Sequence, residues 1–353
     1  METRIIRIEE NIDLQLIAEA GALIKAGGLV AFPTETVYGL GGDALNAASS
    51  GKIYAAKGRP SDNPLIVHIA DMKMLHRIVT EVPEAAYKLA ERYWPGPLTM
   101  IFNKAECVPK ETTGGLETVA VRMPSNKIAK ALIEAAGGYI AAPSANLSGR
   151  PSPTAVKYVI EDLDGRVDMI IDGGEADIGL ESTIIDLTGK EPMILRPGYV
   201  TEEMLKEAIG RVDTDRTILD GDYKQAPKAP GMKYRHYAPK GNLVLVEGTA
   251  AQVVSYINEQ LTGHKSRGAK TGVIATDETV NDYHADSIKS VGKREDEEQI
   301  AKHLFRVLRE FDDEEIQVIY AESFESRGVG EAIMNRLLKA AGHQVVHLSE
   351  FCP

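Results

Sequence analysis

Cysteine is almost absent from this sequence, and so is any long apolar run. Cys107 and Cys352 are the only two cysteines among 353 residues, and no CxxC pair occurs. They supply neither a disulfide framework nor a zinc site, which favours a reducing, cytoplasmic setting. No window reaches the apolar length that crosses a bilayer, and the start METRIIRIEENID lacks the features of a secretory signal. We expect a soluble, unexported protein with no membrane partner.

Positive charge is also scarce. The chain has 40 Lys and Arg residues against 52 Asp and Glu residues, and its formal net charge is -12. A protein that holds nucleic acid through the phosphates normally has the opposite balance or a dense basic stripe. We expect no strong direct binding of nucleic acid. A cationic pocket for a small anion is still compatible with an acidic surface.

Length and composition predict two domains. The chain of 353 residues, 43% of them hydrophobic, exceeds the usual size of one domain. After Gly210 the sequence combines prolines and glycines with few periodic apolar positions, which is typical of a linker. We predict a catalytic domain over 1–211, a linker over 212–241 and a smaller domain over 242–353.

Alternating helical and strand periodicities predict an α/β fold in both domains. In the first domain we expect helices over 11–26, 45–56, 71–79, 83–93 and 125–136, and strands over 29–33, 65–70, 98–102, 118–122, 139–142, 168–171, 183–187 and 193–195. In the second, strands over 243–247, 271–275, 317–321 and 345–348 alternate with helices near 249–261, 295–310 and 331–341. This second pattern is typical of a small parallel sheet of Rossmann type.

The segment KGRPSDNPLIVHIA, residues 57–70, places two cations beside an apolar strand. Prolines keep the backbone near Lys57 and Arg59 extended, and fixed cations suit phosphate oxygens. For the KxR pattern alone, a solvated basic turn is the better interpretation. His68 lies inside the apolar run, where burial is costly unless the ring nitrogens find partners. It is either a binding residue or a core histidine with satisfied hydrogen bonds.

Four further segments have the glycine, proline and hydroxyl content of ligand-binding loops: PTETVYGLGG (33–42), GGLETVAVRMP (114–124), APSANLSGRPSPT (142–154), and GLESTIIDL (179–187) with LRPG (195–198). The third carries hydroxyl and amide groups that cradle an anion or equally cap a helix. Within it, Ser144 lacks the GxSxG setting of a nucleophile. Arg122 and Arg196 each end an apolar strand, where an arginine grips a carboxylate or closes a structural ion pair.

Two patterns in the second domain are weaker. RGVGEAI, near residue 327, is similar to a nucleotide-binding fingerprint, but Ile333 stands at the third glycine position, so we favour helix capping. HQVVH, residues 343–347, lacks the glutamate of a zinc protease and falls on an expected strand. We predict no metal site built from protein side chains.

Taken together, FPTETVYGLG, KGRPSDNPLIVHI, WPGPLT, SANLSGRPSPT and LESTI resemble the motifs of the YrdC-type threonylcarbamoyl-AMP synthases. The linker GMKYRHYAP and the second α/β domain resemble the longer, two-domain form. The resemblance covers nearly the whole chain. It implies a YrdC-like twisted mixed sheet with helices, plus a smaller C-terminal Rossmann-like parallel α/β domain. It also implies a nucleotidyltransferase that converts L-threonine, bicarbonate and ATP into threonylcarbamoyl-adenylate and pyrophosphate.

The same resemblance implies roles for individual residues. Lys57 and Arg59 would be catalytic, with Lys57 assisting at the phosphates. The ATP contacts would be Arg59, Asn63, Thr118, Ser144, Ser152, Arg196 and Tyr234. The threonine contacts would be Thr36, His68, Arg122, Ala142 and Ser182. Mg²⁺ would accompany ATP, and the product would pass to the transferase that makes threonylcarbamoyladenosine in tRNA.

Three alternatives stay open at this point. The fold of this family has been linked with double-stranded RNA binding, which the acidic balance disfavours. YrdC-like domains also serve enzymes that transfer a carbamoyl group to a protein, but the zinc-finger cysteines and acylphosphatase-like sequence of those enzymes are missing here. The third alternative is a structural or regulatory protein that only binds nucleotide.

Overall fold

The computed structural model describes residues 2–8, 12–215, 229 and 236–348. The chain divides into two compact units, Met1–Ser148 with Ser152–Tyr234, and Gly149–Pro151 with Arg235–Pro353. Each unit has its own sheet flanked by helices, so the α/β class is confirmed. The domain boundaries near 211 and 241 stay a prediction.

One mixed sheet forms the centre of the first unit. Its strands are β1 (Arg4–Arg7), β2 (Val30–Phe32), β3 (Gly39–Asp43), β4 (Ile66–His68), β5 (Leu98–Asn103), β6 (Thr118–Arg122), β7 (Ile140–Ala142), β8 (Met169–Asp172), β9 (Thr183–Asp186), β10 (Met193–Arg196) and β11 (Asp213–Thr214). They lie in the order β1-β8-β2-β3-β7-β4-β6-β5-β9-β10-β11. The helices are α1 (Leu14–Lys25), α2 (Ala47–Lys57), α3 (Leu75–Ile78), α4 (Glu84–Tyr93), α5 (Lys127–Ala135), α6 (Val156–Leu163) and α7 (Glu202–Ile209).

The sheet of the first unit is buried on both faces. Consecutive residues of β2 belong to different hydrophobic cores, because Ala31 packs in one cluster while Val30 and Phe32 pack in the other. Side chains alternate across a strand, so two cores mean that helices or loops cover both sides of the sheet. This double burial explains why the strands appear in the sequence as short continuous apolar runs.

Local capping signals set the ends of the helices that lead into the site. Asp13 caps α1 by accepting hydrogen bonds from the main-chain N–H groups of Gln15 and Leu16, at 2.9 and 3.2 Å. Helix α2 ends at Gly58, whose φ of 61° lies in the left-handed region that favours glycine. The chain therefore leaves the helix directly after Lys57.

The second unit contains a five-stranded parallel sheet. Its strands are β12 (Asn242–Glu247), β13 (Thr271–Ala275), β14 (Ser287–Ser290), β15 (Val318–Glu322) and β16 (Val345–His347), in the order β14-β13-β15-β12-β16. The helices are α8 (Ala250–Lys265), α9 (Glu297–Asp313) and α10 (Val329–Ala340). At the start of α10 the N–H of Gly330 donates to the carboxylate of Glu297 at 3.0 Å, in agreement with the capping interpretation of RGVGEAI.

Most expected elements are present with ends shifted by a few residues, but β1, β3, β11, β14, α6 and α7 were not anticipated. Strand β3 has the sequence GLGGD, although glycine has a low propensity for β-strands. Packing explains its presence, since a Cβ on Gly41 would lie 2.8 Å from both Ile140 and Phe32. Among the described residues, no helix combines the length and apolar character needed to span a membrane.

Candidate active site

Strands β4 and β6 bring two of the expected binding residues side by side. The strands are parallel, and His68 is the register partner of Arg122. Register partners on neighbouring strands lie about 4.8 Å apart and project from the same face of the sheet. Each of the two side chains is the last of its strand, and each residue is 4% exposed. The sheet therefore presents a buried imidazole and a buried guanidinium together.

Three groups hold the guanidinium of Arg122. Its Nε donates to the carbonyl of Gly96 at 3.3 Å, and its Nη1 donates to Oγ1 of Thr36 at 2.9 Å. Its Nη2 lies 2.7 Å from Oε1 of Glu35. This last contact is an ion pair. Residues from WPGPLT and FPTETVYGLG thus converge on one arginine.

The hydroxyl groups of Thr34 and Thr36 form a directed chain. Thr34 Oγ1 donates its one proton to the carbonyl of Val37 at 2.6 Å, so toward Thr36 Oγ1, 2.9 Å away, it accepts. Thr36 therefore donates to Thr34 and accepts from Arg122. A hydroxyl oxygen has two lone pairs, so Thr36 keeps one acceptor position. That position suits the N–H of a substrate amine.

His68 is held as a neutral ring. Burial lowers the pKa of His68 to about 3, and the positive charge of Arg122 acts in the same direction. Nδ1 lies 3.1 Å from the carbonyl of Ile66, which only accepts, so we assign the ring proton to Nδ1. The rings of Phe32 and His68 are perpendicular, with centroids 6.3 Å apart. His68 is suited to hydrogen bonding with polar groups of a ligand rather than to carrying charge.

Ser182, the residue before β9, contacts side chains of β5 and β10 next to this pair. Its Oγ lies 2.8 Å from Oγ1 of Thr99, the register partner of Arg122 on β5. Arg196 donates from Nε to the Ser182 carbonyl at 3.0 Å and from Nη2 to Oγ at 3.2 Å. The turn at Gly198 packs so closely here that a Cβ would lie 2.4 Å from the main-chain nitrogen of Thr183.

A buried carboxylate orients Ser152. Glu181 is 7% exposed, and its Oε1 accepts the proton of the Ser152 hydroxyl at 2.5 Å. Because that proton is committed to Glu181, Ser152 presents lone pairs to a ligand. We infer that Ser152 is better suited to accept from an amine or hydroxyl than to donate to a phosphate.

Lys57 is buried and holds main-chain carbonyls. It is 2% exposed, and its ammonium group donates to the carbonyls of Ser144 and Asn146. Ser144 Oγ donates in turn to Oδ1 of Asn146 at 2.5 Å. The lysine thereby connects the end of α2 to the SANLSGRPSPT loop. This geometry suits a residue that positions a loop, and the role at the phosphates that the resemblance implied for Lys57 stays a prediction.

Arg59 and Asn63 lie in the loop before β4. The Arg59 guanidinium donates from Nε to the carbonyl of Asn63 at 3.3 Å and from Nη2 to the carbonyl of Pro64 at 3.1 Å. Asn63 is 2% exposed, and its Oδ1 has no hydrogen-bond partner in the described part of the chain. A buried amide oxygen without a donor is costly, so this atom is placed to accept from a ligand.

The segment 33–41, which we call the central segment, connects these loops. The carbonyls of Glu35 and Thr36 accept from the N–H groups of Ile178 and Gly179 at 2.9 and 3.1 Å. Further along the central segment, Tyr38 and Leu40 bond to the APSANLSGRPSPT loop: Tyr38 N to the Pro153 carbonyl, Ala145 N to the Tyr38 carbonyl, and Leu40 N to the Pro143 carbonyl. The loops of three motifs thus share one anchor.

The positions of the remaining expected residues say little about how they contact a ligand. Thr118 is the half-buried first residue of β6, and Ala142 is the buried last residue of β7. Tyr234, the expected linker contact to ATP, lies outside the described residues. The ligand roles of all these residues stay predictions.

Sequence reasoning did not single out Glu35, Thr34, Thr99 or Glu181. A pattern of residue types does not show which distant side chain an acid or a hydroxyl will meet. The only available signal was that Glu35 and Glu181 lie inside the polar motifs FPTETVYGLG and LESTI.

A separate cavity of about 1010 Å³ borders the site only through Glu35. Its other lining residues, among them Arg7, Asn126 and Asp172, are not expected site residues. Within the described residues, no group of three or more His, Cys, Asp or Glu side chains is arranged to hold a metal ion.

Two family models match the chain. One, described as telomere recombination and named for Sua5, YciO and YrdC, matches residues 22–198. The other, described as the C-terminal domain of threonylcarbamoyl-AMP synthase, matches residues 200–342. The matches together span most of both units.

Near full-length relatives carry one name. Threonylcarbamoyl-AMP synthase of Pyrococcus abyssi is 48% identical over 344 residues, which are 98% of this chain and 99% of the relative. Threonylcarbamoyl-AMP synthase of Bacillus subtilis is 49% identical over 331 residues, 94% of each chain. The crystal structure of P. abyssi Sua5 complexed with L-threonine matches with a TM-score of 0.93 and 47% identity, over 98% of this chain and 100% of that chain.

Burial of neutral His68 predicts a pH dependence of stability. The folded-state pKa, about 3, lies below the value of 6.5 for a free ring. Between these values the unfolded chain binds a proton that the folded chain does not, so stability falls as pH drops below 6.5. From pH 7.5 to pH 5, the wild type should lose about 2 kcal/mol more than His68→Gln in urea unfolding. The exposed-histidine variant His76→Gln serves as the control, and equal losses in wild type and His68→Gln would contradict the assignment.

The contacts of Lys57 predict a selective effect of its removal. Lys57→Met leaves two loop carbonyls without their donor and should raise the apparent KM for nucleotide at least about 10-fold. Lys52, on the same helix, donates to the carbonyl of Gly27 at 2.6 Å and is exposed. Lys52→Met should change that KM less than about 2-fold. Similar effects from both variants would show that the loop contact is unimportant.

Proposed function

Because the chain belongs to the Sua5/YciO/YrdC family in its two-domain threonylcarbamoyl-AMP synthase form, we propose that this enzyme makes threonylcarbamoyl-adenylate from L-threonine, bicarbonate and ATP. Pyrophosphate is the second product. Membership of the family, expected from the motifs, is confirmed by the matches above. The similarity along 98% of the chain to the P. abyssi protein that binds L-threonine is the observation that carries the proposal.

The groups around Arg122 support a role in binding the amino acid. A buried guanidinium binds a carboxylate bidentately, which suits the α-carboxylate of threonine. Thr36 has a free acceptor position for the amine of threonine. Neutral His68 and Ser182 form hydrogen bonds with the remaining polar groups of threonine. Ala142, also assigned to threonine, is buried and adds an apolar wall.

The loops beside Lys57 and Arg59 support a role in binding the nucleotide. We assign Arg59, Asn63, Thr118, Ser144, Ser152, Arg196 and Tyr234 to ATP. Arg59 has the planar donor group that suits phosphate oxygens. Asn63 and Ser152 present acceptors, which suit the amine and hydroxyl groups of a nucleoside. Lys57 acts by holding the Ser144–Asn146 main chain in place.

The proposed reaction needs no nucleophile from the protein. Bicarbonate first loses hydroxide to give CO₂. The free amine nitrogen of threonine adds to the carbon of CO₂ to form a carbamate, and the proton lost from nitrogen combines with the hydroxide as water. A carbamate oxygen then attacks the α-phosphorus of ATP, and the bond from that phosphorus to the bridging oxygen breaks to release pyrophosphate. Correct placement and stabilisation of the departing charge supply most of the acceleration in such a step.

Magnesium enters this proposal as part of the substrate. Mg²⁺ is commonly bound by substrate phosphates together with one or two protein carboxylates. The adenylate would then pass to the transferase that completes threonylcarbamoyladenosine in tRNA, and binding of tRNA by this chain itself is not required.

The proposal is tested by incubating the purified protein with Mg-ATP, L-threonine and labelled bicarbonate. Pyrophosphate should appear only when threonine and bicarbonate are both present, together with a labelled adenylate. An RNA-binding module would instead bind bare tRNA with steep salt dependence and release no pyrophosphate. Pyrophosphate release that ignores threonine would contradict the proposal.

The division of the site into two halves predicts that each of two arginine substitutions raises the KM for a different substrate. Arg59→Ala should raise the KM for ATP about 10-fold or more and leave the KM for threonine within about 3-fold. Arg122→Ala should raise the KM for threonine about 100-fold and leave that for ATP within about 3-fold. Steady-state kinetics with each substrate varied in turn measures both KM values. Equal effects of either variant on both substrates would rule out the division.

A further inference from the structure

Glu35 is a buried carboxylate to which the motif pattern and the proposed chemistry assign no role. It is 5% exposed, and its carboxylate lies 2.7 Å from Nη2 of Arg122. Burial raises the pKa of the Glu35 carboxyl, but the charge of Arg122 and the hydrogen-bond donors around the carboxylate together outweigh burial and leave the pKa below its ordinary value. At neutral pH the two groups are therefore an ionised pair.

We propose that Glu35 is a positioning residue for amino-acid recognition, which aims and neutralises the Arg122 guanidinium without touching the substrate. This inference rests on the proposed function, in which Arg122 binds the threonine carboxylate. Gly96, Thr36 and Glu35 each engage one nitrogen of the guanidinium. A guanidinium has five N–H donors, so these contacts leave at least one N–H on each of Nη1 and Nη2. Two such donors side by side are the fork that binds a carboxylate.

Glu35 also supplies the negative charge that compensates the buried Arg122 guanidinium. A buried guanidinium without a counter-ion is strongly destabilising, because the desolvated charge has no compensation. The neighbouring His68 is neutral and offers none. The Glu35 carboxylate lies 2.7 Å from Nη2 of Arg122, so this contact joins two full opposite charges. Loss of the charge should therefore matter more than a change of shape.

A purely structural ion pair would behave differently under substitution. The main-chain carbonyl of Glu35 accepts from Ile178 at 2.9 Å, and this bond does not depend on the side chain. Glu35→Gln keeps that bond and the side-chain shape and removes only the charge. A structural role predicts lower stability with unchanged substrate dependence, whereas a positioning role predicts a selective loss of threonine affinity.

The test uses the intact protein with Glu35→Gln and Glu35→Asp, in steady-state kinetics and in calorimetric titration with L-threonine. Glu35→Gln should raise both KM and Kd for threonine at least about 10-fold, with the KM for ATP within about 2-fold. Glu35→Asp keeps the charge on a shorter side chain and should recover part of the loss. A threonine Kd in Glu35→Gln that is unchanged, or tighter, overturns the inference.

Glu322→Gln is the matched control from the second unit. Glu322 is 2% exposed and paired with Arg294, so this variant also removes a buried charge. It should lower the melting temperature and leave the threonine Kd unchanged. If Glu35→Gln does not fold, Glu35→Asp decides: a Kd raised about 3-fold or more supports the inference, and an unchanged Kd overturns it. Wild-type protein that binds no threonine would overturn the proposed function instead.

Discussion

The main-chain hydrogen bonds of the central segment determine where the polar loops of the first unit lie. Buried backbone N–H and C=O groups must be paired, so a loop anchored through them cannot shift alone. Glu35 and Thr36 anchor the chain that leads to Ser182, and Tyr38 and Leu40 anchor the chain that carries Ser144 and Ser152. The side chains of the site are therefore placed by the sheet and its connections, before any ligand contributes.

An acidic chain carries a site rich in cations because each cation is compensated locally. Net charge describes the surface and the solvent around it, whereas a buried charge responds to its immediate neighbours. Arg122 has a carboxylate, Lys57 has main-chain carbonyls, and Arg196 has the carbonyl and hydroxyl of Ser182. The first of these contacts is with a full opposite charge, and the other contacts described here are with main-chain and hydroxyl oxygens.

The sequence predicts those parts of the fold that depend on local pattern. Strands β4, β5 and β6 are buried on both faces and appear as apolar runs, so their positions were expected nearly to the residue. The position of strand β3 was not expected. Its Gly41 is required by the close approach of Ile140 and Phe32, which no local sequence pattern reveals. The motifs indicated which loops form the site. They did not indicate that Lys57 turns toward carbonyls, because side-chain direction depends on partners that only the folded chain brings near.

Residues 178–182 make the two proposed halves of the site interdependent. This stretch bonds at one end to the main chain of Glu35 and Thr36, which sit against Arg122. At its other end Glu181 orients Ser152, and Ser182 receives Arg196. A displacement of the main chain at Thr36 is therefore transmitted to an acceptor and an arginine that we assign to the nucleotide. These hydrogen bonds join the two ends of the stretch to residues of the two proposed halves. In the proposed reaction, such a connection would link the binding of the amino acid to the alignment of the α-phosphorus.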